Sequence, residues 1–174
     1  MLKSLFKPRP AQVAGRALYG RVVEQARSPA LYRDLGAPDT VEGRFELYSL
    51  HVVLLLERLR LQGDQAAETS QALFDTYVRA LDDALREMGV GDLAVGKKMR
   101  KLGEAFYGRA RSYLAALEAL PDRTPLEALL GRTVYADAED RSAALADYLL
   151  AQRDALAAIP TERLNAGEVT WRPA

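Results

Sequence analysis

The chain has 174 residues, 24 Lys and Arg against 24 Asp and Glu, one His, no Cys and 49% hydrophobic residues. That length is enough to bury a sizeable core in one domain. Without Cys there is no disulfide scaffold, iron–sulfur cluster, thiolate zinc site or cysteine nucleophile, and a lone His excludes any site built on two imidazoles. The zero net charge is a balance of blocks: +6 over 1–33, −7 over 34–96, +5 over 97–111 and −4 over 112–174.

Met1–Pro10 is basic and carries only Leu2, Leu5 and Phe6 as bulky apolar residues. It lacks the apolar core and cleavage pattern of a signal peptide and reads as a flexible end. Pro10 then opens a helix over 10–27, with Val13, Leu18, Val22 and Val23 apolar, and Ser28-Pro29 breaks it. A short turn carries Leu31, Tyr32 and Leu35 to Gly36-Ala37-Pro38, where Asp39 with Glu42 has the spacing of a capping box. The helix over 40–62 shows two apolar stripes, one through 41, 45, 48, 52, 55 and 59 and one through 47, 50, 54 and 61. Burial on two sides makes it the central helix of a bundle. Its uncharged run, Leu47–Leu56, is too short to cross a bilayer, which needs about 20 residues.

The segment 65–88 is amphipathic, with Leu73, Phe74, Tyr77, Val78, Leu81, Ala84, Leu85 and Met88 on one stripe and Gly89 as the stop. A glycine-rich link leads to a helix over 97–120, striped by Met99, Leu102, Phe106, Tyr113, Leu117 and Leu120. Pro121 and Pro125 bracket a break, followed by a short helix over 125–131, a loop to Asp137 and a helix over 138–158 stopped by Pro160. Only 168–171 (EVTW) looks strand-like. The reading is an all-α, single-domain bundle of about six helices spanning 1–174.

Three features invite a catalytic reading and do not support one. Gly91–Lys97 satisfies G-x-x-x-x-G-K, but a helix precedes it and Lys98 stands where a Ser or Thr would meet magnesium. It is a turn between helices. His51, between Leu50 and Val52, reads as a hydrogen-bonded core residue. The acids of 65–88 alternate with arginines at i,i+4 spacing, the pattern of a solvated face. No nucleophile, base and orienting group stand together, so the chain is read as a non-enzyme with no cofactor and no metal. Glycines at 15, 20, 43, 103 and 108 sit inside helical segments at about 1 kcal/mol each against Ala. Gly96, Gly103 and Ala110, seven apart, mark a seam where another backbone approaches, either inside the bundle or from a partner.

Three stretches carry a family likeness: Leu35-Gly36-Ala37-Pro38-Asp39-Thr40-Val41-Glu42-Gly43-Arg44-Phe45-Glu46, the run from Leu85 to Met99, and Phe106-Tyr107-Gly108-Arg109. In order and spacing they resemble the ubiquinol–cytochrome c chaperone family, assembly factors of respiratory complex III, over about residues 30–120. The resemblance implies a helical, cofactor-free chaperone of bacterial type whose client is cytochrome b or another complex III intermediate. It also implies, from mitochondrial members, a small helper protein and proximity to the ribosome. It brings no catalytic residues. The matched exposed positions become the candidate partner-binding set: Arg44, Asp92, Lys97, Lys98, Lys101, Tyr107 and Arg109.

The expected location is cytoplasmic, peripheral at the inner face of the membrane, with no DNA partner. The alternative is a basic-surface module for ribosomal RNA or anionic membrane without a chaperone role. Lys97, Lys98, Arg100 and Lys101 are expected at a helix N-terminus, against the macrodipole. Arg44 and Arg109 are expected to anchor carboxylates of the fold or of the client through their planar forks.

Overall fold

The computed structural model describes residues 9–136 and 140–174. The flexible end expected over 1–10 lies outside these for residues 1–8, as do positions 137–139. Helix α1 runs Pro10–Ala26. Its fixed-φ proline sits in the first helical position, and the Gln12 side chain accepts the Arg9 N–H at 3.1 Å. A short α2, Pro29–Arg33, replaces the expected turn. Central α3 spans Val41–Leu59, α4 spans Asp64–Glu87 and α5 spans Asp92–Glu118. Then come α6 (Thr124–Leu130), a π-helical turn (Gly131–Tyr135), α7 (Ser142–Ala157) and α8 (Thr161–Asn165).

Six of these α-helices have seven residues or more, so the all-α bundle of about six helices is what the chain forms. Among the described residues there is no strand: 168–171 is irregular, with Val169 buried and Trp171 packed on the core.

Several boundaries move for identifiable reasons. The N-cap of α3 is Thr40, whose Oγ1 accepts the Gly43 N–H at 3.0 Å, while Asp39 turns outward to Arg44. The same helix stops at Leu59, so Leu61 falls outside it with positive φ and is 90% exposed. The loop expected after Gly131 is a π turn that buries Val134 and Tyr135, with the Tyr135 hydroxyl donating to the Leu35 carbonyl at 2.6 Å. Most consequential is α5, which starts at Asp92 rather than 97. Asp92 takes the first turn, where an acid suits the dipole. Lys97 to Lys101 lie beyond that turn, where the dipole has faded.

The core surrounds α3, which packs against α1, α4, α5 and α7. Ser49 through Leu55 are buried without a break, as a helix covered on all sides requires. Two glycines make close approaches possible. A Cβ on Gly15 would come within 2.5 Å of the Ala72 backbone, so α1 and α4 touch main chain to main chain there. A Cβ on Gly43 would lie 2.1 Å from the Pro38 carbonyl oxygen, which presses the 36–40 loop onto the first turn of α3. Gly96 and Gly103 do the opposite: nothing lies within 4 Å of where their Cβ atoms would stand. The seam expected through them is open.

Candidate functional site

His51 is fully buried and holds a fixed tautomer. Nδ1–H donates to the Leu47 carbonyl at 2.7 Å, so Nε2 accepts from the Tyr148 hydroxyl at 2.7 Å. That hydroxyl accepts from Gln25 Nε2, which also donates to the Arg172 carbonyl. Gln152 completes the clamp on the C-terminal segment, accepting the Arg172 N–H and donating to its carbonyl, both at 2.9 Å. Burial pushes the imidazole down to about 4. With both nitrogens engaged and no solvent access, His51 is a structural bolt, as its apolar setting suggested. Asp75 opens instead to a surface basin with Arg16 and Arg79.

Of the candidate set, Arg109 faces inward. Its guanidinium makes a bidentate pair with buried Glu46, at 2.9 and 3.1 Å from Nε and 2.9 Å from Nη2. Burial pushes the Glu46 carboxyl up against the opposing pull of Arg109. The pair links α5 to α3 and is an internal anchor. Arg44 pairs with Asp39 at 2.6 Å on the surface. Asp92 is claimed by Arg86, which also holds Asp82 at 2.6 Å, so the acid at the start of α5 is spent within the α4–α5 corner.

Lys97, Lys98 and Lys101 are exposed, with Arg100 between them. Among the described residues none of the four has an ion-pair or hydrogen-bond partner. Matching by a neighbouring acidic helix, the other explanation for the basic block, does not occur at these side chains. Tyr107 is 59% exposed, with its ring tilted against Phe74 and edge-on to Phe106.

The structure adds two apolar grooves to this picture. One, of about 470 Å³, lies between α3, α4 and α5, with Leu56, Leu61, Phe74, Tyr107 and Leu114 on its walls. The other, of about 570 Å³, lies between α1, α3 and α4. Val23, Phe45, Leu81 and Met88 line it, with Arg44 and Arg27 on one rim and Asp83 and Glu87 on another. Val41 and Met88, assigned to buried stripes, are more than half exposed at 59% and 53%. The missed signal is length: both stand at helix ends, where a stripe has no neighbour to cover it. Leu93 was unassigned and is fully exposed. Among the described residues no cluster of acids and histidine could hold a metal ion, and no helix is long and apolar enough to cross a membrane.

The chain as a whole is similar to known proteins. The family described as Ubiquinol-cytochrome C chaperone matches residues 33–171, past Pro121 and through the C-terminal helices. Ubiquinol-cytochrome-c reductase complex assembly factor 1 of Xenopus laevis is 24% identical over 166 residues, covering 93% of this chain and 82% of that protein. Its Mus musculus namesake is 26% identical across 93% of this chain, which spans 56% of the mouse protein. The crystal structure of the Cbp3 homolog from Brucella abortus is similar at a TM-score of 0.86 and 35% identity, covering 99% of this chain and 97% of that one. The chain belongs to the ubiquinol–cytochrome c chaperone family.

Proposed function

We propose that this protein is an assembly chaperone for ubiquinol–cytochrome c reductase. It acts without catalysis, by temporarily covering apolar surface of a membrane-protein client, for which cytochrome b is the candidate. The observation that carries this reading is the groove between α3, α4 and α5, open and aromatic-walled, in a chain of this family. Exposed Leu61 and Tyr107 at its rim offer apolar area that a client helix would bury, with a favourable transfer free energy of about 25 cal/mol per Å². Arg44, on the rim of the neighbouring groove, and the lysines of α5 supply charge that would orient an approaching partner. A small helper protein or the ribosome is a second contact in this reading, and the protein works peripherally at the cytoplasmic face of the membrane.

The test is a photo-reactive residue at Tyr107 or Leu61 in cells, with identification of what is captured, beside a Leu61→Asp, Tyr107→Asp variant. Capture of a complex III subunit, with loss of assembled complex in the variant at unchanged thermal stability, is the expected result. Normal assembly in the variant overturns the reading. Capture of no complex III subunit, with membrane or RNA binding that is lost at moderate salt, favours the basic-surface module instead.

A further inference from the structure

The α4–α5 corner combines two properties that neither groove has. Leu93 is fully exposed in the first turn of α5, and Met88, at the end of α4, is 53% exposed. On α5, Lys97, Arg100 and Lys101 follow Leu93 at i+4, i+7 and i+8, which places all four on one helical stripe, with Lys98 on its flank. Val95, on the opposite side of the helix, is buried, so that stripe points away from the bundle. Among the described residues these four cations within five positions have no ion-pair partner; Asp82 and Asp92 are both held by Arg86, and Asp83 and Glu87 at the end of α4 line the groove between α1, α3 and α4. Glu104 is the next acid on α5, about 16 Å along the helix from Leu93.

We propose that this corner is a docking tip for an anionic lipid bilayer. Leu93 inserts at the boundary of headgroups and acyl chains, with Met88 beside it, and Lys97, Lys98, Arg100 and Lys101 meet the lipid phosphates. Charge and apolar exposure together select this occupant. A nucleic acid would use the cations but leave Leu93 in water, whereas a bilayer surface satisfies both at one depth. The proposal deepens the membrane-side location of the preceding section and rests on that reading. It names the surface and the lipid chemistry.

The experiment is flotation of the purified full chain with vesicles, so no client is involved. Vesicles of phosphatidylcholine alone are compared with vesicles containing anionic phosphatidylglycerol, at low and at moderate salt. Binding is expected only to the anionic vesicles and weakens as salt rises. At about fivefold per cation, Lys97→Gln, Lys98→Gln, Lys101→Gln weakens it roughly a hundredfold, and Leu93→Ser weakens it about tenfold at all salt concentrations. Equal binding to both vesicle types, no binding to either, or normal binding by the triple variant overturns the proposal. So does retention of the Leu93→Ser variant at wild-type strength, which would mark purely ionic adsorption. Any variant that melts below wild type is replaced by the wild-type salt and lipid series, which decides alone. Failure here together with intact client capture at Tyr107 sinks the lipid tip and leaves the chaperone reading standing. The reverse outcome sinks only the chaperone reading.

Discussion

Arg109 and Lys97 lie on the same helix and treat charge in opposite ways. Around Arg109 and the middle of α3, the buried polar side chains of α3 all have partners: Glu46 with Arg109, Ser49 with Tyr77 at 2.8 Å, and His51 with Leu47 and Tyr148. At the other end of α5, four cations and a leucine face solvent with no partner among the described residues. The first pattern is what a low-dielectric interior demands, since an unpaired buried polar group costs about 1–3 kcal/mol. The second gives the fold no internal pairing, and its partner in our proposal lies outside the molecule. A single helix thus joins a paired, buried region to one left open to solvent.

Changes to the inner region should be costly and changes to the outer one silent, which gives the comparison its tests. The largest effect is expected from pH. His51 has a folded pKa of about 4 against 6.5 unfolded, so the unfolded chain binds the extra proton between those values. The stabilisation is present in full above about pH 6.5 and is lost as pH falls toward 4, to a total of about 3 kcal/mol. Urea midpoints at pH 7 and 4.5 should differ strongly in wild type and much less in His51→Gln. Equal pH slopes in the two proteins would mean the imidazole is not sealed.

Next in size is Arg109→Leu, which leaves the Glu46 carboxylate buried without its partner. A loss of about 2–3 kcal/mol is expected, below the fully buried case because a third of the Arg109 side chain reaches solvent. Adding Glu46→Leu should recover most of it, and thermal melts of the two variants check this. Arg109→Lys, which keeps the charge but not the bidentate fork, should fall between.

The glycines sharpen the contrast because one substitution should change sign between regions. Gly15→Ala must push apart main chains that already touch, at about 2 kcal/mol destabilising. Gly96→Ala meets open space in a helix interior and should stabilise by about 0.5–1 kcal/mol. If Gly96→Ala destabilised instead, the open side of α5 would be packed after all. The smallest effect is expected at the proposed lipid contact: Lys97→Gln, Lys98→Gln, Lys101→Gln together should move stability by no more than about 0.5 kcal/mol. A markedly lower melting temperature would show internal salt bridges and remove these lysines from the contact surface.

Much of this protein was legible in the chain. The all-α class, the two-sided burial of the middle of the helix expected over 40–62 and the role of Pro10 and Gly89 as boundaries follow from apolar period and backbone restriction, which are local properties. The core reading of His51 followed from its apolar neighbours, and the family likeness from three runs of unusual residues. Tertiary structure decided the rest, because the deciding partner stands far along the chain. Arg109 became an internal anchor through Glu46, 63 positions away, and His51 was locked by Tyr148, 97 positions away. The irregular 168–171 segment was fixed by the edge of Trp171 on His51, with ring centroids 5.1 Å apart, not by any strand partner. Periodicity marks which side of a helix is apolar, but not whether another helix arrives to cover it. For that reason Val41, Met88 and the groove beside Tyr107 stayed hidden until the bundle was assembled, and the bareness of Lys97 to Lys101 could be established only then.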